Sequence, residues 1–397
     1  MGKWKMVRLG DYITQVRGVS YKPEDALENE DETHKPILRA HNIQSNGLND
    51  NNLIYVNEKK IKNSQYIRKG DIIICTSSGS KDLVGKAAQA SNDMFASVGA
   101  FCKVIRAKNT INYVYLKHYF SSPVYRNVIS ELSSGANINN IRNEHIDDLQ
   151  IPLPPLDIQQ KIADVLDKAS ALIELRKAQL DKLDLLIKSQ FIEMFGDPVA
   201  NSYNWDTTSL GNVCEKITDG EHNNPEFIGS GIPMIMANNI RDSVILEGCK
   251  FISEKDYRRF SMKCNPEKGD VLLVSRGATI GRCCENNLNE PFSLMGSVIL
   301  LKDKADIVLS KFLLNWFKNS SINKIIYNTS SASAQQAIYI KDLSKKIIIL
   351  PPLKLQNEFA AFVEEVETQK KLLQNSLEKM ELNYKSLMQK CFRGEIF

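Results

Sequence analysis

The stretch LPPLDIQQKIADVLD (residues 153–167) is answered 197 positions later by LPPLKLQNEFAAFVE (residues 350–364). Each opens on a Pro-Pro pair, and proline is suited to the first turn of a helix but not to its interior. Each then runs into a long mixture of charged and apolar residues. A helix start written twice so far apart predicts a duplicated unit.

The rest of the chain repeats in the same order. Trp4 opens WKMVRLGDYI and Trp205 opens WDTTSLGNV, which sets Leu9-Gly10 against Leu210-Gly211. RKGDIIICTSSGSKDLVGKA from Arg68 is matched by EKGDVLLVSRGATIGRC from Glu267, and FASVGAFCKVIRAK from Phe95 by FSLMGSVILLKDK from Phe292. The offsets, 201, 199 and 197, differ only by small insertions and deletions. Length agrees, since 397 residues exceed what one core usually organises. The reading divides the chain into a first globular domain (1–153), a first long helix (154–196), a second globular domain (197–350), and a second long helix with a C-terminal tail (351–397).

Inside each globular domain, β-rich runs such as DIIICTS and DVLLVS lie between Gly and Asn loops, with helices near 112–122 and 310–321. The fold class is therefore α/β in the α+β sense, two similar domains in tandem. Asp157 with Gln160 predicts an N-cap and capping box for the first long helix, and Gly196 with Pro198 its stop. The second copy has Lys354 where the first has the aspartate. Both helices run near 40 residues, roughly 60 Å. In the second, Val363, Val366, Lys370, Leu373, Leu377, Met380, Tyr384, Leu387 and Cys391 alternate spacings of three and four. The first repeats that seam as Leu166, Ala169, Ile173, Arg176, Leu180, Leu183, Ile187, Gln190 and Met194. Two copies of one unit meeting through equivalent helices predict an antiparallel coiled coil about a pseudo-twofold axis.

Net charge is only +4, so a nucleic-acid surface would need local clustering of Lys and Arg. Eight cysteines at irregular spacing form neither a zinc pattern nor a disulfide framework, and read as reduced structural thiols. No run approaches a membrane span and the N-terminus has no apolar signal core, so the expected location is cytoplasmic.

Two similar domains at a fixed separation suit a ligand with approximate two-fold symmetry and a regular repeat, and double-stranded DNA is the commonest such ligand. The long helices balance their charges, which leaves the loops to touch DNA. In the first domain the candidates are Arg17, then Arg39, His41 and Asn42 in LRAHNI. Ser77, Ser78, Lys81 and Lys86 follow in TSSGSKDLVGK, with Asn137, Asn139, Asn140 and Arg142 in GANINNIR. In the second they are His222, Asn223 and Asn224 in TDGEHNNP, Asn238, Asn239 and Arg241, Arg276 and Arg282 in SRGATIGR, and Gln335 with Gln336. Arg and Lys suit guanine and phosphate, Asn and Gln suit adenine, and Ser suits phosphate. His34, His118 and His145 have no partners at metal-ligand spacing. No catalytic residue and no metal ligand is assigned. GSKDLVGKA has one residue too many between its glycines for a phosphate-binding loop and ends on Ala87, and neither a dinucleotide fingerprint nor a Gly-x-Ser-x-Gly elbow occurs. A coiled-coil scaffold whose globular ends bind proteins is the alternative.

Taken together, LGDYI (9–13), LGNV (210–213), TDGEHNNP (218–225), GDIIIC (70–75), GDVLLV (269–274), both Pro-Pro segments, FIEMFGDP (191–198) and KCFRGEIF (390–397) resemble one family. The sequence resembles, over essentially its whole length, the specificity subunit of type I restriction-modification systems, the HsdS family. That resemblance implies two target-recognition domains, each reading one half of a bipartite DNA site, with the helices acting as a ruler. It implies two methyltransferase (modification) subunits as partners, to which restriction subunits can add. This chain would be non-catalytic and bind no cofactor, with S-adenosylmethionine, ATP and Mg²⁺ on the partner subunits.

Overall fold

The two Lys-Gly-Asp turns fold for the same reason. Gly70 and Gly269 take φ of +86° and +96°, a region that favours glycine. The aspartate after each folds back, Asp71 Oδ2 accepting from Arg68 N at 2.7 Å and Asp270 Oδ2 from Glu267 N at 2.6 Å. Both carboxylates are buried and meet a cation from the adjacent strand, Arg106 at 2.7 Å and Lys302 at 3.0 Å. From these turns run the wholly buried strands Ile72–Cys75 and Val271–Val274.

The structure, a computed structural model, describes residues 4–44, 47–80, 83–134, 140–328 and 337–397. The chain divides into two compact units, Met1–Lys177 with Asn375–Phe397, and Ala178–Gln374. In the first, an antiparallel sheet has the spatial order Ile13–Arg17, Cys102–Ala107, Ile72–Cys75, Ala87–Gln89. A second sheet has the order Ser97–Val98, His34–Leu38, Ile54–Asn57, Ala26–Leu27, its first pair parallel. The second unit repeats this with Cys214–Asp219, Val298–Asp303, Val271–Val274 and Cys283–Glu285. Its other sheet orders Lys250–Ile252, Ile232–Ile235 and Ser293–Leu294, again with one parallel pair.

Strand register corrects one equivalence read from sequence. Ser97 pairs with Ile37 as Ser293 pairs with Met234, so Ala96 stands where Phe292 stands. Those two are buried, while Phe95 is 86% exposed. The shared phenylalanine letter was a coincidence that backbone hydrogen bonding overrides.

Each globular segment starts and finishes at one place. Met6–Arg8 pairs with Gln150–Pro152 in the first unit, and Thr207–Ser209 with Ile347–Ile349 in the second. Trp4 Nε1 donates to Cys391 O at 3.3 Å, and Trp205 Nε1 to Phe195 O at 2.9 Å, so each domain start is tied to a helix end.

The long helices span Leu156–Phe195 and Leu353–Arg393, and each gives one half to each unit. In the first unit Ile162 and Leu166 share a core with Met388, Cys391 and Phe392, and Lys177 lies 3.5 Å from Glu381. In the second, Ile187, Phe191 and Phe195 share a core with Phe359, Val363 and Val366, and Asp184 pairs with Lys370. Low numbers meet high numbers, so the two helices pack antiparallel. Each seam residue predicted from the spacing is buried or half-buried, including Ala169, Ile173, Leu180, Leu183 and Met194, and Leu373, Leu377, Met380, Tyr384 and Leu387.

The helix starts differ from expectation. No capping box forms in the first: Gln160 accepts from Asn112 Nδ2 and donates to Asp164, both at 2.7 Å, while Asp157 faces solvent beside Lys161. The second helix begins at the equivalent Leu353 despite Lys354. What the copies share is a buried glutamine. Gln159 donates to Pro154 O at 2.8 Å and accepts from Asn112 N at 2.8 Å, while Gln356 donates to Pro351 O at 2.8 Å and accepts from Leu309 N at 2.9 Å. Each amide joins the Pro-Pro turn to the start of a domain helix, Tyr113–Phe120 or Ser310–Lys318.

One cluster is private to the first unit. His118, 1% exposed, donates from Nε2 to Asp167 at 2.9 Å and accepts at Nδ1 from the Tyr384 hydroxyl at 3.0 Å, while Lys117 meets Asp167 at 2.7 Å. That tautomer needs a neutral ring, and burial does lower the His118 pKa. The hydrogen bond from His118, against the penalty of burial and with Lys117, holds Asp167 at about 2.

Gln356→Leu leaves the Leu309 N–H and two carbonyls without this partner. It should cost about 2–3 kcal/mol in denaturant unfolding of the full chain, given roughly 1–3 kcal/mol per buried unpaired group. For His118, the folded pKa lies below the unfolded one, so protonation favours unfolding as pH falls below about 6.5. Asp167 acts in the same direction lower down, its stabilisation present above about 4 and lost as pH falls toward 2. The variant His118→Asn, which installs the residue found at the equivalent Asn315, should melt with a shallower loss between pH 7 and 5 than the parent. Equal slopes would count against the neutral buried imidazole.

Candidate nucleic-acid interface

Strand direction gathers the candidate loops. Ile13–Arg17 and Ile72–Cys75 both run antiparallel to Cys102–Ala107, with Arg17 opposite Lys103 and Cys75 opposite Cys102. Both therefore end at the sheet edge where Cys102–Ala107 begins. In the second unit Asp219 lies opposite Ile299 and Val274 opposite Val298, which places the loops after Asp219 and Val274 at the corresponding edge.

The same backbone bonds fasten these loops in both units. Thr76 N donates to Phe101 O at 2.8 Å and accepts at its carbonyl from Ile141 N at 2.7 Å. Ser275 does likewise with Ser297 O and Ile338 N, at 2.8 and 2.9 Å. Ser77 bridges Asn140, as Arg276 bridges Ala337. A third loop joins through a cation: Lys86 Nζ donates to Gln44 Oε1, and Arg282 Nη1 to Ile240 O, both at 3.3 Å. Thus Ser77 meets Asn140 in one unit and Arg276 meets Ala337 in the other, while Lys86 and Arg282 tie in the loops of Gln44 and Ile240.

The first loops cross a neighbouring backbone closely. Val19 N donates to Val98 O at 2.7 Å and Glu221 N to Leu294 O at 2.8 Å. A Cβ on Gly18 would sit 2.1 Å from Gly99 O, and one on Gly220 2.0 Å from Leu294 O. Only glycine permits that approach.

Other candidates divide by exposure. Arg17, Arg142, Asn224, Asn238 and Arg241 are exposed, and Ser78 is half-buried with its hydroxyl accepting from Ser80 N at 3.1 Å. His41 is exposed and donates to Asn51 O at 3.3 Å, and Asn223 is exposed with its N–H donating to Glu221. Arg39 is half-buried and already donates to Asn52 O at 2.7 Å. His222 meets Asp219 at 2.8 Å, and Lys263 meets the same carboxylate at 2.7 Å. Burial opposes the Asp219 charge, yet the Lys263 hydrogen bond and charge, with His222, keep its pKa below the ordinary value. Lys81, Asn137, Asn139, Gln335 and Gln336 lie outside the described residues.

Asn42 and Asn239 are corrections. Both are buried, 0% and 3% exposed, and their side chains are spent on the fold. Asn42 accepts from Arg39 N at 2.8 Å and donates to Asn51 O at 2.8 Å, while Asn239 accepts from Met236 N and donates to Ile245 O, both at 3.0 Å. They shape the loop that presents their exposed neighbours.

Sequence reading also passed over basic residues flanking the first loops. In the second unit the helix Glu254–Ser261 carries exposed Lys255, Arg258 and Arg259, and the following Lys263 reaches the Asp219 loop. In the first, Lys59 and Lys62 lie on turns whose Gln65 donates to Arg17 O at 2.9 Å. A local count of charge in EKDYRRFSMK and EKKIKNSQYIRK carried the signal. Phe101, 69% exposed and bonded through its carbonyl to Thr76 and Ser77, was passed over too. Among the described residues no group of His, Cys, Asp and Glu is arranged to hold a metal ion, and no helix is long and apolar enough to cross a membrane.

Since Gly220 is the tightest of these crossings, Gly220→Ala should force the Asp219 loop off the Ser293–Leu294 strand. Overpacking of this kind costs about 1–3 kcal/mol. The expected result is a lower melting temperature with faster amide exchange at Glu221 and Gly296, whereas unchanged exchange there would contradict the crossing.

Comparison with known proteins places this duplicated architecture. A family model described as the type I restriction modification DNA specificity domain matches residues 1–185 and 203–382. The specificity subunit of the type I restriction enzyme EcoKI of Escherichia coli K12 is 29% identical, covering 99% of this chain and 89% of the relative. That of StySPI from Salmonella potsdam is 30% identical with the same coverages. Among solved structures, a chain from work on complex assembly and conformational transition of the type I R-M system aligns with a TM-score of 0.57, at 20% identity over 100% of this chain and 98% of the other. The S subunit from M. genitalium aligns at 0.54, with 14% identity over 98% and 96%. Two domain matches spanning both halves, and relatives alike along nearly the whole length, establish that the chain belongs to the family of DNA specificity subunits of type I restriction-modification systems.

Proposed function

We propose that each globular domain reads one half of a bipartite site in double-stranded DNA through the loop cluster at its sheet edge. The carrying observation is that one backbone frame is built twice, Thr76–Phe101–Ile141 and Ser275–Ser297–Ile338, while the exposed side chains on it differ. A common frame with different readers suits two half-sites of different sequence. The flanking cations, Lys59 and Lys62 or Lys255, Arg258 and Arg259, would supply phosphate contacts.

The long helices would set the unread distance between the half-sites and dock two methyltransferase subunits, to which restriction subunits can add. On this reading the chain makes and breaks no bond. S-adenosylmethionine, ATP and Mg²⁺ would belong to the partner subunits, and the assembly would work in the cytoplasm beside the DNA.

Exchange of residues 1–150 for the corresponding segment of another specificity subunit tests the modular reading. Mapping of methylated adenines in cells carrying the hybrid should show one half of the site changed and the other kept. Change in both halves, or in neither, would remove the proposal. The full complex should also lose affinity for its site steeply with salt, because each phosphate contact releases counterions. Binding that is absent or insensitive to salt would favour a scaffold that binds proteins.

A further inference from the structure

We propose that Phe101 is a specificity-determining residue of the first domain, its ring contacting the methyl group of a thymine in the major groove. This deepens the DNA reading above and rests on it.

Phe101 is 69% exposed although its backbone is firmly held. Its carbonyl accepts from Thr76 N at 2.8 Å, Thr76 Oγ1 at 3.0 Å and Ser77 N at 3.2 Å. Three bonds to one carbonyl fix the loop and leave the ring facing outward. The fold does not require an aromatic there, since the equivalent position in the second unit, held by the same backbone bond to Ser275, is Ser297. Beside Phe101 at the sheet edge lie Arg17, Ser77 and Asn140, whose donors match phosphates and base edges. An apolar ring set among such donors complements the one apolar group that base edges offer in the major groove, the thymine C5-methyl.

The test uses the full chain assembled with its modification subunits and a duplex library randomised across the site. Phe101→Ala and Phe101→Ser should lose a preference for thymine at one position of one half-site, while Phe101→Leu keeps it. The other half-site and the salt slope should stay as in the parent. Deoxyuridine in place of that thymidine should weaken the parent complex about fourfold, as expected for one methyl-sized group, and leave Phe101→Ala unaffected. Unchanged base preferences in Phe101→Ala, or equal weakening on all sequences with an unchanged melting temperature, would overturn the role of Phe101 alone. A parent complex that enriches no sequence would overturn the DNA reading itself.

Discussion

In each unit one buried amide holds the domain to its helix. Gln159 and Gln356 each bridge the carbonyl before a helix start and the backbone N–H at the start of a domain helix. Sealed from solvent, neither group has water as an alternative partner, so the geometry is fixed at both ends. The domain helix in turn packs against the sheet whose far edge carries the loops. The buried amide thereby fixes the first turn of each long helix to the domain helix beside it.

Within each unit the polarity of three strands does the gathering. Two strands parallel to each other and antiparallel to a third must end together, and the loops after them must share an edge. Hydrogen bonds from loop backbone to loop backbone then make a frame that does not use the exposed side chains. Exposed side chains on that frame can therefore differ without disturbing the fold. Arg17 and Phe101 in one copy correspond to Asp219 and Ser297 in the other.

Most of the architecture was legible because duplication makes patterns visible. The Lys-Gly-Asp turns, the buried strands after them and the heptad seam recur with the same physical demands. Where letters recurred without the demand, the reading slipped. Phe95 and Phe292 share a residue type but not a register, and the capping box proposed for Asp157 and Gln160 lost to the neighbouring Gln159. Asn42 and Asn239 looked like readers of adenine because an asparagine in a polar loop is chemically suited to either task. Burial decides which task it has.

The sequence by itself determined that one unit is used twice, that each use ends in a long amphipathic helix, and to which family the pattern is similar. These follow from period and spacing, which are properties of the chain. Only the tertiary structure decided which loops meet, which polar side chains are consumed in holding them, and which remain to touch a ligand. Those outcomes depend on hydrogen-bond register between strands far apart in sequence, and on whether water can reach a given atom, neither of which a local stretch of residues encodes.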